Sequence, residues 1–279
     1  MGAVPPRFEP FGLINLCFSR KGPLHEDVED IEDIFSVAVL ATVVAVGSVR
    51  AQSVSDSYPG NQNTSFGGAV GNGSLQVVND SLGAINFTYT RGSSNFDNPI
   101  VIYIDSVTGG ATSTSGFTDT ADPLRRAISG FDFVEGRSTL NFAAGFGADY
   151  AIALNNGFAG LWSLSDPANF PFLSSADLLP SPASQTAATY TFDITAADIG
   201  LTANSGDSFS FFSTYISDTA FRSVETFGAS YIGSPAAGRN TFDAAGSNTF
   251  TLVPEPTTCG FLATAAAAMA ARLARRRTS

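Results

Sequence analysis

Between residues 52 and 253, apolar side chains recur in short runs broken by Gly, Asn, Asp and Ser. No stretch keeps the i, i+3, i+4 spacing of a long helix. The clearest early runs are Ser74–Val78, Ala84–Thr90, Ile100–Asp105, Ser138–Phe142 and Tyr150–Leu154. Later runs are Gly160–Leu164, Ala188–Ile194, Ser208–Ser217, Thr226–Tyr231 and Asn248–Val253. In Tyr190, Phe192, Ile194 and in Phe209, Phe211 the large side chains fall on every second residue, with Ser, Thr or Asp between them. That is the period of a half-buried antiparallel strand. Asn79-Asp80-Ser81-Leu82-Gly83 has the turn chemistry of a hairpin loop, and Thr195–Gly200 predicts one brief helical turn. About ten short strands separated in this way predict an all-β fold, an antiparallel β-sandwich or jelly roll.

Two apolar runs lie outside this field. Ile34–Gly47 (IFSVAVLATVVAVG) has the length of a signal-peptide core and is short for a membrane span. It is followed by Val49-Arg50-Ala51, whose small residues three and one before a cut predict cleavage between Ala51 and Gln52. Six acids in His25–Asp33 stand where a basic flank is expected. Two alternatives therefore stay open: translation starts downstream near Phe35, or the run is a buried helix. At the other end, Cys259–Ala271 is Ala-rich and helix-favouring, and it leads into Arg272, Arg275, Arg276 and Arg277. Counted through Ala274 this run has 16 residues, marginal for a permanent span and suited to a transient membrane stop. The expected organisation is a signal region at 1–51, a β-domain at 52–250 and a C-terminal segment at 251–279, with a signal-like helix and a short transmembrane-like helix at the two ends.

Charge and composition remove whole classes of function. Residues 52–253 hold 17 acids against six arginines, while the single Lys and single His lie upstream at Lys21 and His25. A Lys-free acidic surface repels phosphate backbones, so nucleic acid is excluded as a partner. Cys17 and Cys259 both fall in the terminal segments. A disulfide scaffold is therefore excluded, and a domain of this length can bury enough apolar area without one. With no His, Cys or Lys between 52 and 253, nucleophilic triads, zinc and redox-metal sites have no raw material.

The order Val253-Pro254-Glu255-Pro256, apolar helix, Arg cluster resembles the PEP-CTERM sorting signal of bacterial surface proteins. The likeness covers about 27 residues. It implies recognition of Pro254, Glu255 and Pro256 by an exosortase-type membrane transpeptidase, after passage through the secretion translocon and signal peptidase. It also implies association with exopolysaccharide. The two prolines hold an extended backbone ahead of the helix, the form a peptidase reads. The bland alternative is a Pro-x-Pro linker before a tail anchor. A second resemblance covers Asn98–Leu154, where Tyr103-Ile104-Asp105 and Gly147–Leu154 are similar to secreted β-sandwiches related to carbohydrate-binding modules. Some such sandwiches bind haem through His and Met, and residues 52–253 contain neither.

Oxygen ligands alone leave calcium as the candidate ion, with Asp105, Asp119, Asp122 and Asp149 as its ligands if their strands are neighbours. The competing reading has these acids capping turns. Asp132 with Glu135 or Asp149 could form a glycosidase pair, although nothing in the spacing singles them out. Trp162 is a candidate sugar-stacking platform, with a core position in the sandwich as the commoner alternative for such a residue. Four Asn-x-Ser/Thr sequons lie between Asn63 and Thr88 and follow the Asn- and Ser-rich composition. The expectation is a non-enzymatic, exported protein with a structural or adhesive role at the cell surface or in the exopolysaccharide matrix. A non-catalytic carbohydrate-binding module is the alternative, and a glycan-degrading enzyme the weaker one.

Overall fold

The computed structural model describes residues 53–80, 83–180, 183–203 and 205–253. The apolar N-terminal run, the Ala51/Gln52 cleavage pair, Pro254–Pro256 and the arginines at 272 and 275–277 lie outside the described residues. Val253 lies inside them.

The described chain is all-β in class. Four strands form one antiparallel sheet in the order β1 (Val54–Pro59), β2 (Ser74–Asn79), β3 (Ala84–Thr90) and β11 (Thr189–Thr195). Six strands form a second antiparallel sheet. Its order is β10 (Phe172–Ser175), β9 (Ala159–Ser163), β8 (Tyr150–Leu154), β4 (Ile100–Asp105), β12 (Ser208–Tyr215) and β14 (Asn248–Thr251). Two small pairs complete the strands: β5 (Phe131–Asp132) with β6 (Gly136–Arg137), and β7 (Thr139–Asn141) parallel to β13 (Thr241–Asp243).

The two large sheets share one core, as in a sandwich. Leu75, Val77, Ile85, Phe87 and Tyr190 of the first sheet cluster with Ile102, Ile152, Leu161 and Phe211 of the second. Period-two burial fixes which residues face inward: β3 reads half-buried, buried, exposed, buried along Ala84 to Phe87. Rings take part in it: Phe87 and Phe192, side by side on the first sheet, stack at 5.1 Å, and Tyr58 lies edge-on to Phe211 of the second sheet at 4.8 Å.

The six-stranded sheet is buried on its outer face as well. In β4, Ile100, Ile102 and Ile104 point into the sandwich, while Val101 and Tyr103 point into a second core. This explains the unbroken apolar run Ile100–Ile104, since a strand covered on both sides loses its alternation. The outer cover is a helix, α1 (Pro123–Ser129), together with the small strand pairs and loops that bring Phe117, Leu140, Phe170 and Phe242 onto the sheet.

Strands Ala84–Thr90, Ile100–Asp105 and Tyr150–Leu154 form with the boundaries the sequence predicts. The brief helical turn forms as a 3-10 turn at Ala197–Ile199. Two segments depart from the sequence reading. Thr226–Tyr231 makes only isolated bridges through Phe227 and Tyr231, because Gly228 sits at a left-handed φ of 64° and turns the chain. Residues 123–129, for which the sequence predicts neither strand nor helix, form α1. Asp122 caps its first turn, Pro123 pre-sets φ at its start, and Gly130 closes it in the left-handed conformation.

Candidate functional site

The four aspartates proposed as calcium ligands do not converge. Asp105 and Asp149 meet at one end of the β4–β8 pair, where Asp149 Oδ2 accepts from the Ser106 and Val107 amides and Asp105 Oδ2 accepts from the Gly147 amide. Burial raises the Asp105 pKa, the Gly147 amide lowers it, and the Asp149 charge raises it again. Asp119 is buried elsewhere, taking the Phe170 amide at 2.7 Å and the Ala121 amide at 3.0 Å. Asp122 spends Oδ1 on the Leu124 and Arg125 amides as the cap of α1. It lines a cleft with Asn155, beyond the opposite end of β8 from Asp149. Among the described residues no three His, Cys, Asp or Glu side chains are placed to hold a metal ion. These carboxylates act as turn and loop acceptors.

Asp132 of the suggested glycosidase pair lacks the electrostatics of the acid. Asp132 accepts from the Glu135 and Val134 amides, and those bonds lower its pKa. Glu135 is engaged with Arg239 at 3.0 Å. A glycosidase acid needs its pKa raised.

Trp162 is 3% exposed and packs in the outer core, so its faces are not an open platform. The exposed aromatic surface belongs to its neighbours, Phe158 at 40% and Phe172 at 48%. Phe158 is placed by the turn after β8, in which Asn155 Oδ1 accepts from the Gly157 and Phe158 amides. Phe172 is placed by register: it lies directly opposite Trp162 across the β9–β10 pair, on the edge strand, next to a register irregularity. The three rings converge above Gly160, where a Cβ would stand 2.9 Å from an atom of each. Only glycine lets them meet there.

This cluster walls a cleft of about 330 Å³ whose other side is the start of α1. Its polar lining is Asn155, Asp122 and Arg125. Arg125 lies between two carboxylates, 3.5 Å from Asp119 and 3.2 Å from Asp122. Its Nε, although close to Asp122, makes no aligned hydrogen bond, and the Trp162 indole N–H is enclosed without an acceptor. A larger trough of about 580 Å³ runs beside β11. It offers Asp177 and Asp193 but no exposed ring, since Phe192 is 2% exposed.

Two further buried charges lie away from the cleft. The Glu225 carboxylate accepts four amides, those of Phe66, Gly68, Val70 and Gly71, and so ties down the loop between β1 and β2. Arg222 is fully buried in the outer layer, with Nη1 on Thr214 Oγ1 at 2.9 Å and the Phe242 ring 5.8 Å from its guanidinium carbon. No carboxylate pairs with it among the described residues, and its Nε and Nη2 have no hydrogen-bond partner.

The sequence directs attention to Trp162 and misses Phe158, Phe172 and the Asp122–Arg125 pair beside it. The Asp122-Pro123 helix start was the readable signal for that pair. No model of a known family, no curated protein and no solved structure matches this chain.

Proposed function

We propose that this protein is an exported, non-catalytic component of the bacterial cell surface or exopolysaccharide matrix, sorted through its C-terminal segment and serving a structural or adhesive role. The observation that carries this reading is the ordered C-terminal signature: Val253-Pro254-Glu255-Pro256, an apolar run, then Arg272, Arg275, Arg276 and Arg277. The described fold leads directly into it: Leu252 and Val253, the last described residues, are buried, and the Val253 amide donates to Asn79 Oδ1 of the opposite sheet at 3.0 Å. Lack of His, Cys and Lys across 52–253 supports the non-catalytic part, because it removes imidazole, thiol and amine chemistry.

Mass spectrometry of the protein recovered from its own cells tests the reading. The expected product is a surface-fraction species beginning at Gln52 and lacking peptides from 257–279. A cytosolic species that carries both the Met1 and Ser279 peptides would overturn it.

A further inference from the structure

We propose that the cleft formed by Phe158, Trp162 and Phe172 binds an uncharged pyranose unit of a polysaccharide. Three properties on the same few residues select this ligand class. First, Phe158 and Phe172 present exposed faces 6.4 Å apart and inclined by 32°, an apolar surface matched to the C–H faces of a sugar ring. Second, the wall is not purely apolar. Asn155, Asp122 and Arg125 border it, and their donors and acceptors match sugar hydroxyls. A hydrocarbon occupant would strip water from these groups and return no hydrogen bond. Third, the local charge disfavours an anion: the single guanidinium of Arg125 already faces the carboxylates of Asp119 and Asp122. A uronate would meet a site with no positive charge left to offer. A cleft of about 330 Å³ falls at the small end of the roughly 300–1,000 Å³ range of ligand sites, so it takes a short stretch of chain.

Phe172 sits on β10, the edge of the six-stranded sheet, and is the most exposed of the three rings. Gly160 keeps the three rings in register beneath it.

Isothermal titration of the full chain with cellohexaose, xylohexaose and hexagalacturonate tests the proposal. Binding is expected to at least one neutral oligosaccharide and not to hexagalacturonate. Phe172→Ala should weaken it by roughly tenfold or more, the loss expected from removing one stacked ring. Phe158→Ala should weaken it as well. Phe133→Ala, at an exposed ring on the β5–β6 turn, should leave it unchanged. Thermal melts of each variant separate lost binding from lost folding. The proposal is overturned if none of the three oligosaccharides binds, if hexagalacturonate binds as tightly as the neutral ones, or if binding survives both Phe172→Ala and Phe158→Ala. Binding of an apolar dye at the cleft without sugar binding overturns it too.

Discussion

The two faces of the six-stranded sheet are built on different principles. Its inner face meets another regular sheet, so aromatic and branched residues of period two interlock, as Phe87, Phe192 and Phe211 do. Its outer face is covered by α1, short strand pairs and loops, and it needs polar devices to hold that cover. Tyr103 donates to the Ile128 carbonyl at 2.6 Å, and Arg137 reaches the Thr114 and Phe117 carbonyls at 2.8 and 2.7 Å. The lesson is that a regular partner can rely on shape alone, whereas an irregular cover must satisfy its backbone group by group. The aromatic cleft lies on the irregular side, where loops can be varied without disturbing the sandwich.

Phe211 and Phe212, adjacent on β12, point into the two cores and test the contrast directly. Phe211→Ala is expected to cost about 4 kcal/mol, because two rigid sheets cannot close over the cavity. Phe212→Ala should cost less, about 3 kcal/mol, because loops relax into the space. Denaturant melts of both variants measure the difference, and equal losses would remove the distinction between the faces.

The buried charges sharpen it next. Glu225→Gln replaces an acceptor of four amides with a side chain that presents donors to some of them, and should cost about 3 kcal/mol. The Arg222 guanidinium donates to Thr214, lies beside the Tyr103 and Tyr231 hydroxyls and has no ionic partner among the described residues, so Arg222→Met, of similar reach, should stay within about 1 kcal/mol of the parent. Chemical denaturation of the two variants under one set of conditions checks the asymmetry.

The smallest effect per residue is the ionisation of tyrosine. Burial raises the pKa of all 7 tyrosines, and Tyr58 is pushed up to about 12. The unfolded chain releases these protons near pH 10 while the native protein keeps them. The native state then binds more protons, so stability present below pH 10 is lost as pH rises beyond it. Tyrosinate absorbance should lag behind pH 10 and then rise together with unfolding. A free titration at 10 with the fold intact would contradict the burial of these rings.

Much of the inner core was legible because its signal is local. Ala84–Thr90 alternates and Tyr150–Leu154 is a compact apolar run, and both fold as they read. The outer layer was not legible to the same degree. Helix α1 buries Leu124, Ala127 and Ile128 at helical spacing, but seven residues give that period too little length to stand out. The cleft depends on a pairing that composition cannot reveal: Phe172 becomes a site residue only because register sets it against Trp162. The four aspartates illustrate the same limit, since Asp105 and Asp149 become neighbours through strand pairing while Asp122 is drawn to the helix start.

The last strand carries a mechanical consequence. β14 pairs with β12 alone, over Asn248–Thr251, and its final pair, Thr251 with Ser208, adjoins the buried Leu252 and Val253. Tension applied beyond Val253 meets two bonds before it reaches that rung: the Val253 amide on Asn79 of β2, and the Leu252 amide on the Asp207 carbonyl, just ahead of β12, at 2.8 Å. The end of the described chain is thus clasped from both sheets, and a pull there is shared between them before β14 itself bears load.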